Sequence, residues 1–246
     1  MIYAVIASLC CFLLACFGAS IIFFIKKDNR KIDIFLHAFS SGIMLASAIF
    51  SLIIPALDYC NELGFCGFIV LPLCFLLVGI LFIWLEKLNN GADERVNTKM
   101  LSFGVFLHNI PEGFCLGFAF ASYSVLGTHE ALISAIMIAI GIGIQNIPEG
   151  STVAFPLYLS GKNKKQSFWG AISVALVEIP SCIVAFLIGN ALTFVLPFML
   201  AFAGATMIVV ASTELMPMAV KMSEKWSVLW LVLGMVFMMW LVLFLG

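Results

Sequence analysis

Every lysine and arginine of this chain falls in alternate gaps between long apolar runs. About 20 apolar residues are needed to cross a bilayer as a helix. Runs of that kind cover approximately 2–25, 35–57, 67–86, 100–122, 129–159, 167–190, 194–219 and 226–245. Lys26, Lys27, Arg30 and Lys31 lie between the first two runs, and Lys87, Arg95 and Lys99 between the third and fourth. Lys162, Lys164 and Lys165 follow the fifth, and Lys221 and Lys225 follow the seventh, which accounts for all 12 basic residues. The even-numbered gaps, around 58–66, 123–130 and 190–193, hold none. Positive charge marks the cytoplasmic side, so the odd-numbered loops are expected inside and both termini outside. A count of seven or nine helices would scramble this segregation. The expectation is an all-α polytopic membrane protein, with residues 1–246 forming one eight-helix transmembrane domain in the cell (inner or plasma) membrane.

Composition agrees. Of 246 residues 63% are hydrophobic and 10% charged, and the mean hydropathy is +1.18, whereas a soluble domain carries roughly 25% charged residues. Only lipid can solvate that excess. The net charge of -1 argues against nucleic acid as a partner. No Lys or Arg precedes the first run, so it reads as a retained first helix rather than a secretory signal. The eight cysteines have no metal-knuckle spacing, and in apolar runs a free Cys is a small hydrophobe. Cys60 and Cys66 share one short loop and would bridge only if it faces an oxidising compartment; the reading favoured here is two free thiols.

Within this frame one motif occurs twice. His108-Asn109-Ile110-Pro111-Glu112-Gly113 returns 37 residues later as Gln145-Asn146-Ile147-Pro148-Glu149-Gly150. An acidic residue at the centre of a membrane helix costs about 2.5–3.5 kcal/mol and by default marks function. Positions i and i+4 share a helical face, so His108 points with Glu112 and Gln145 with Glu149. Asn109 and Asn146 are offset by about 100°. Each proline frees the carbonyl four residues before it and bends the helix, and the fifth run is long enough either for a tilted helix or for one interrupted at Pro148 and Pro156. If the two helices face each other, two glutamates, one imidazole and three amides converge. Imidazole nitrogen with carboxylate and amide oxygen is borderline in softness and suits Zn²⁺, Fe²⁺, Mn²⁺ or Cd²⁺.

Other groups gather around this motif. Glu178 is a third intramembrane acid, two residues before Pro180, and Glu214 stands three before Pro217 near a helix end. Met44 offers a thioether. His37 and His129 sit near membrane edges and read as surface residues. A fainter echo pairs Gly42, Ser51 and Pro55 of the second helix with Gly204, Thr213 and Pro217 of the seventh, with 13 residues from Gly to Pro in both. The two helices run in opposite directions, as do the fourth and fifth. That pattern is an inverted repeat in which helices one to three mirror six to eight around a central pair. Such repeats place the substrate at mid-membrane on Gly- or Pro-interrupted helices.

On these residues the chain resembles the ZIP (Zrt/Irt-like) family of divalent metal transporters, most closely its bacterial members. The resemblance covers essentially the whole length. It implies a 3+2+3 arrangement and a binuclear metal site. His108, Glu112, Gln145 and Glu149 would line one position with Met44 nearby. Asn109, Asn146 and Glu178 would line the second, with Glu112 and Glu149 bridging. It also implies import into the cytoplasm by alternating access, with helices one, four, five and six moving against the rest. Two features depart from the family pattern. Gln145 stands where many members have His, and the loop at 89–98 is short and lacks His.

The expected function is therefore transport of a divalent cation, Zn²⁺ first, with the metal as cargo and no cofactor. Divalent ions and the lipid bilayer are the expected partners, and homodimer formation is left open. Two rivals remain. The same glutamates would serve an organic-cation or proton-coupled carrier. An intramembrane metalloenzyme would use a metal-activated water, but the chain has no His-Glu-x-x-His and one His near the acids, fewer than catalytic zinc usually takes.

Overall fold

The computed structural model describes residues 1–25, 30–62, 64, 67–88, 98–189 and 195–245. Among them there is no strand, and eight helices are long and apolar enough to cross a membrane. They are α1 (Ile2–Phe23), α2 (Lys31–Asn61), α3 (Gly67–Leu85), α4 (Leu101–Leu126), α5 (His129–Leu159), α6 (Lys164–Ile188), α7 (Pro197–Met222) and α8 (Glu224–Phe244). The eight expected spans are all present. α2 and α6 begin about a turn or less earlier than hydropathy alone suggests, because their first turns are polar. Asn163 caps α6 by a reciprocal pair of hydrogen bonds with Gln166, which stabilises a helix start that hydropathy cannot register. Cys66, Arg95 and the loops around 26–29, 89–97 and 190–194 lie outside the described residues.

Contacts at the helix ends bring the start of α1 to the end of α4, the end of α1 to the start of α6, and the early turns of α2 and α8 together. Tyr3 of α1 meets Tyr123 of α4 edge-on at 6.0 Å. At the opposite end of α1, the Lys164 ammonium donates to the Phe23 carbonyl oxygen at 3.0 Å. Phe35 and Trp230, early in α2 and α8, lie 4.8 Å apart. Large apolar side chains such as Phe68, Leu76 and Ile80 on α3 and Leu243 and Phe244 on α8 are exposed. Such a surface is stable only against lipid, and the chain is a multi-pass membrane protein.

Prolines divide these helices unequally. α2 contains a π-helical segment at Ala48–Ile53 before Pro55, and α7 has one at Ala211–Leu215 before Pro217. A π-turn takes up the carbonyl that a proline cannot satisfy without ending the helix. α6 breaks between Ala175 and Glu178, just ahead of Pro180. α4 and α5, in contrast, stay α-helical through Pro111, Pro148 and Pro156. The interruption of the fifth helix allowed by the sequence does not occur; around Pro148, Gly143 and Gly150 seat α5 against Leu14 and Ala15 of α1.

That packing uses glycine where backbones touch. A side chain on Gly18 would strike the Ile147 carbonyl, and one on Gly150 the Ala15 carbonyl, so α1 and α5 approach each other through both. Gly42 and Gly234 do the same for α2 and α8, against Leu231 and Phe39. Gly113 brings α4 against the Glu178 backbone on α6. Without a hydrophobic force between helices in lipid, close backbone approach of this kind supplies much of the packing energy.

Candidate metal centre

The two motif copies meet. α4 carries His108 and Glu112 on one face, α5 carries Gln145 and Glu149 on another, and none of the four is more than 5% exposed. His108 Nε2 lies 3.0 Å from Glu149 Oε1, across the helix pair. The Gln145 amide donates to Glu112 Oε1, the reciprocal crossing. One ligand atom from each of His108, Glu112 and Glu149 falls within 4.8 Å of the others. Among the described residues this is the group of three such side chains close enough to share one ion.

A second set lies beside the first. Asn146 Nδ2 donates to Glu178 Oε2 at 2.8 Å, and to the Cys11 main-chain oxygen at 3.4 Å. Glu178 is the first residue of the lower half of α6, where the positive end of the helix dipole favours a carboxylate. It is close enough to interact electrostatically with Glu112 and Glu149. Asn109 is buried on α4 one residue after His108.

Several polar atoms here are buried with no hydrogen-bond partner: His108 Nδ1, Glu112 Oε2, Asn109 Oδ1, Asn146 Oδ1 and Glu178 Oε1. An unsatisfied buried polar atom costs about 1–3 kcal/mol, more if charged. Four of these five are oxygen acceptors, and three carboxylates share the region. A dication would supply positive charge and fill those lone pairs together, so the donor set fits one. Imidazole, carboxylate and amide donors make the set borderline in softness.

The site residues expected from sequence are thus distributed clearly. His108, Glu112 and Glu149 form the close group, Gln145 is bound to it, and Asn146 joins Glu178. Met44 is buried on α2, one turn before Ser47, whose hydroxyl donates to Gln145 Oε1. Ser47 was not singled out by the sequence reading. Its only signal was the three-residue spacing from Met44, which puts both on one face. The Cys11 carbonyl had no sequence signal at all. Glu214 is half-buried in the π-segment of α7 and outside the close group. His129 is exposed, as expected, but His37 is not: it is 1% exposed and edge-on to Phe155 at 5.9 Å. α5 covers it, which hydropathy along α2 alone cannot reveal.

No curated protein matches the chain. A family model described as ZIP Zinc transporter matches residues 86–242, more than half of the chain and both motif copies. With eight membrane helices and a buried His-Glu-Glu group at the crossing of two of them, the chain belongs to the ZIP zinc transporter family.

Proposed function

We propose that this protein imports a divalent cation, Zn²⁺ first and Fe²⁺, Mn²⁺ or Cd²⁺ otherwise, from outside into the cytoplasm of the cell through a binuclear site. Divalent metal transport follows from the family; the ion, the direction and the ligands are this reading. The observation that carries it is the buried His108–Glu112–Glu149 group with its unpartnered acceptors. In the reading, His108, Glu112, Gln145 and Glu149 hold one ion, with Met44 at its edge. Asn109, Asn146 and Glu178 hold the second, and Glu112 and Glu149 bridge. Both termini lie outside, in line with the loop charges.

Matching π-segments before Pro55 and Pro217 support the inverted 3+2+3 repeat, since they fall at the paired positions of the Gly-to-Pro echo. Alternating access would move α1, α4, α5 and α6 as one body. The glycine crossings α1–α5 and α4–α6 lie inside that body, and the α2–α8 crossing lies inside the other. Between the bodies, Ser47 of α2 donates a hydrogen bond to Gln145 of α5 and His37 stacks edge-on against Phe155, contacts that such a motion would exchange.

The family match favours a transporter over the enzyme reading, because the family described is one of transporters. Radiometal uptake into vesicles reconstituted with Glu112→Ala or Glu149→Ala should fall to background while both variants express and fold. Wild-type uptake by the two variants would sink the site assignment. Thermal stabilisation by divalent ions, which follows from binding the folded state alone, separates this reading from an organic-cation carrier.

A further inference from the structure

His37 lies on α2, seven residues before Met44 and ten before Ser47, about 15 Å along the helix from the latter. Its Nδ1 is 2.8 Å from the Asp33 main-chain oxygen. A carbonyl oxygen only accepts, so Nδ1 carries the proton and Nε2 presents a lone pair. That Nε2 is buried and has no hydrogen-bond partner. A buried acceptor left open calls for an ordered water or an ion. An imidazole whose Nδ1–H is tied to a backbone carbonyl, with Nε2 open, is also the arrangement that metal-ligating histidines adopt.

The surroundings connect this atom to the central group. His37, Ser40, Ser41, Met44 and Ser47 recur at helical spacing on α2, all buried. Ser41 donates to Ala211 of α7 at 3.2 Å, and Ser47 donates to Gln145 of α5. On α5, Gln145, Glu149, Thr152 and Phe155 follow the same spacing and are buried too, with Phe155 against the His37 ring. A polar seam thus runs from the central carboxylates to His37. It ends near the start of α2, on the side where Lys31 stands. Asp33, one turn earlier and 7% exposed, puts a carboxylate on the same face.

We propose that His37 Nε2 is a second station for the transported cation, which it binds on leaving the central group toward the basic end of the molecule. The proposal rests on the transport reading above. The test titrates the full-length protein in lipid nanodiscs with Cd²⁺ and follows the ¹⁵N resonances of its three histidines. His108 should shift first and His37 Nε2 at higher Cd²⁺, while His129 stays put. His37→Phe keeps a ring against Phe155; it should slow radiometal uptake about tenfold, the loss typical of a missing metal-supporting group, with Cd²⁺ binding at His108 retained. A wild-type His37 resonance that Cd²⁺ never moves while His108 responds would overturn the proposal and leave the transport reading standing. So would wild-type uptake by His37→Phe. If His108 does not respond either, the central site itself is wrong. The resonance measurement needs no variant and stands even if His37→Phe fails to fold.

Discussion

Replacing Gly150 with alanine adds one methyl group where α5 crosses α1. That carbon would lie 2.8 Å from the Ala19 nitrogen and 3.0 Å from the Ala15 carbonyl carbon, and nearer still to the Ala15 oxygen. Contacting heavy atoms settle at about 3.5 Å or more, so relieving the closest contact, with the Ala15 oxygen, parts the helices by more than about 1 Å. A gap of that size forfeits about half or more of the dispersion energy along the crossing. One extra carbon in tight packing costs about 1–3 kcal/mol. Gly18, four residues after Leu14 on the facing helix, touches the Ile147 backbone, so neither helix can slide to relieve the clash. Glu149 is the adjacent residue and moves with the α5 backbone, whereas a metal site tolerates about 0.2 Å in its ligand distances. Gly141 is the control: it lies on the same helix with nothing within 4 Å of an added Cβ. Alanine there removes the entropic cost of a helical glycine, about 0.5–1 kcal/mol. Thermal unfolding in nanodiscs, followed by tryptophan fluorescence, should show Gly150→Ala melting about 2–12 °C lower, at about 2–4 °C per kcal/mol. Gly141→Ala should melt at or slightly above wild type. Cadmium binding by Gly150→Ala should weaken at least about tenfold and that of Gly141→Ala should not change. Equal melting temperatures and equal cadmium affinities for the two variants would refute the claim that this crossing positions the site.

Two further substitutions probe the donors themselves. Gln145→His puts imidazole where the chain has an amide, and competition uptake should then favour Zn²⁺ over Mn²⁺ more strongly than wild type, since imidazole suits the softer ion; an unchanged preference would remove Gln145 from the ligand set. Ser47→Ala leaves the buried Gln145 oxygen unsatisfied and should lower metal-free stability by about 1–3 kcal/mol. Saturating Cd²⁺ should recover part of that loss, because the released amide oxygen can turn to the ion; a loss of the same size with and without Cd²⁺ would show that Gln145 does not ligate.

Helix number and motif chemistry were legible because both are local. A run of 20 apolar residues reports its solvent whatever it packs against, and the i, i+4 spacing puts His108 and Glu112 on one face by helical geometry alone. Glu178 was legible as a costly charge beside a proline, and the structure adds that α6 breaks there, so its carboxylate sits at a helix start. Pro148 left two outcomes open, a tilted helix or an interrupted one, and the helix runs through unbroken. A proline removes one hydrogen bond wherever it stands, but whether the helix then breaks, forms a π-turn or stays α-helical depends on its neighbours. α6, α2 and α5 show the three outcomes.

The amino-acid sequence by itself therefore determined how many times the chain crosses lipid and which side chains are too costly to bury without a purpose. Tertiary structure alone decided which of them meet. His108 faces Glu149 of the other motif copy, Ser47 turns the Gln145 amide toward Glu112, and α5 closes over His37. The physical reason is that hydropathy and helical period describe one helix against its solvent. The partner across an interface is set by how closely two backbones approach, and here glycines such as Gly18 and Gly150, 132 positions apart in the chain, set that approach.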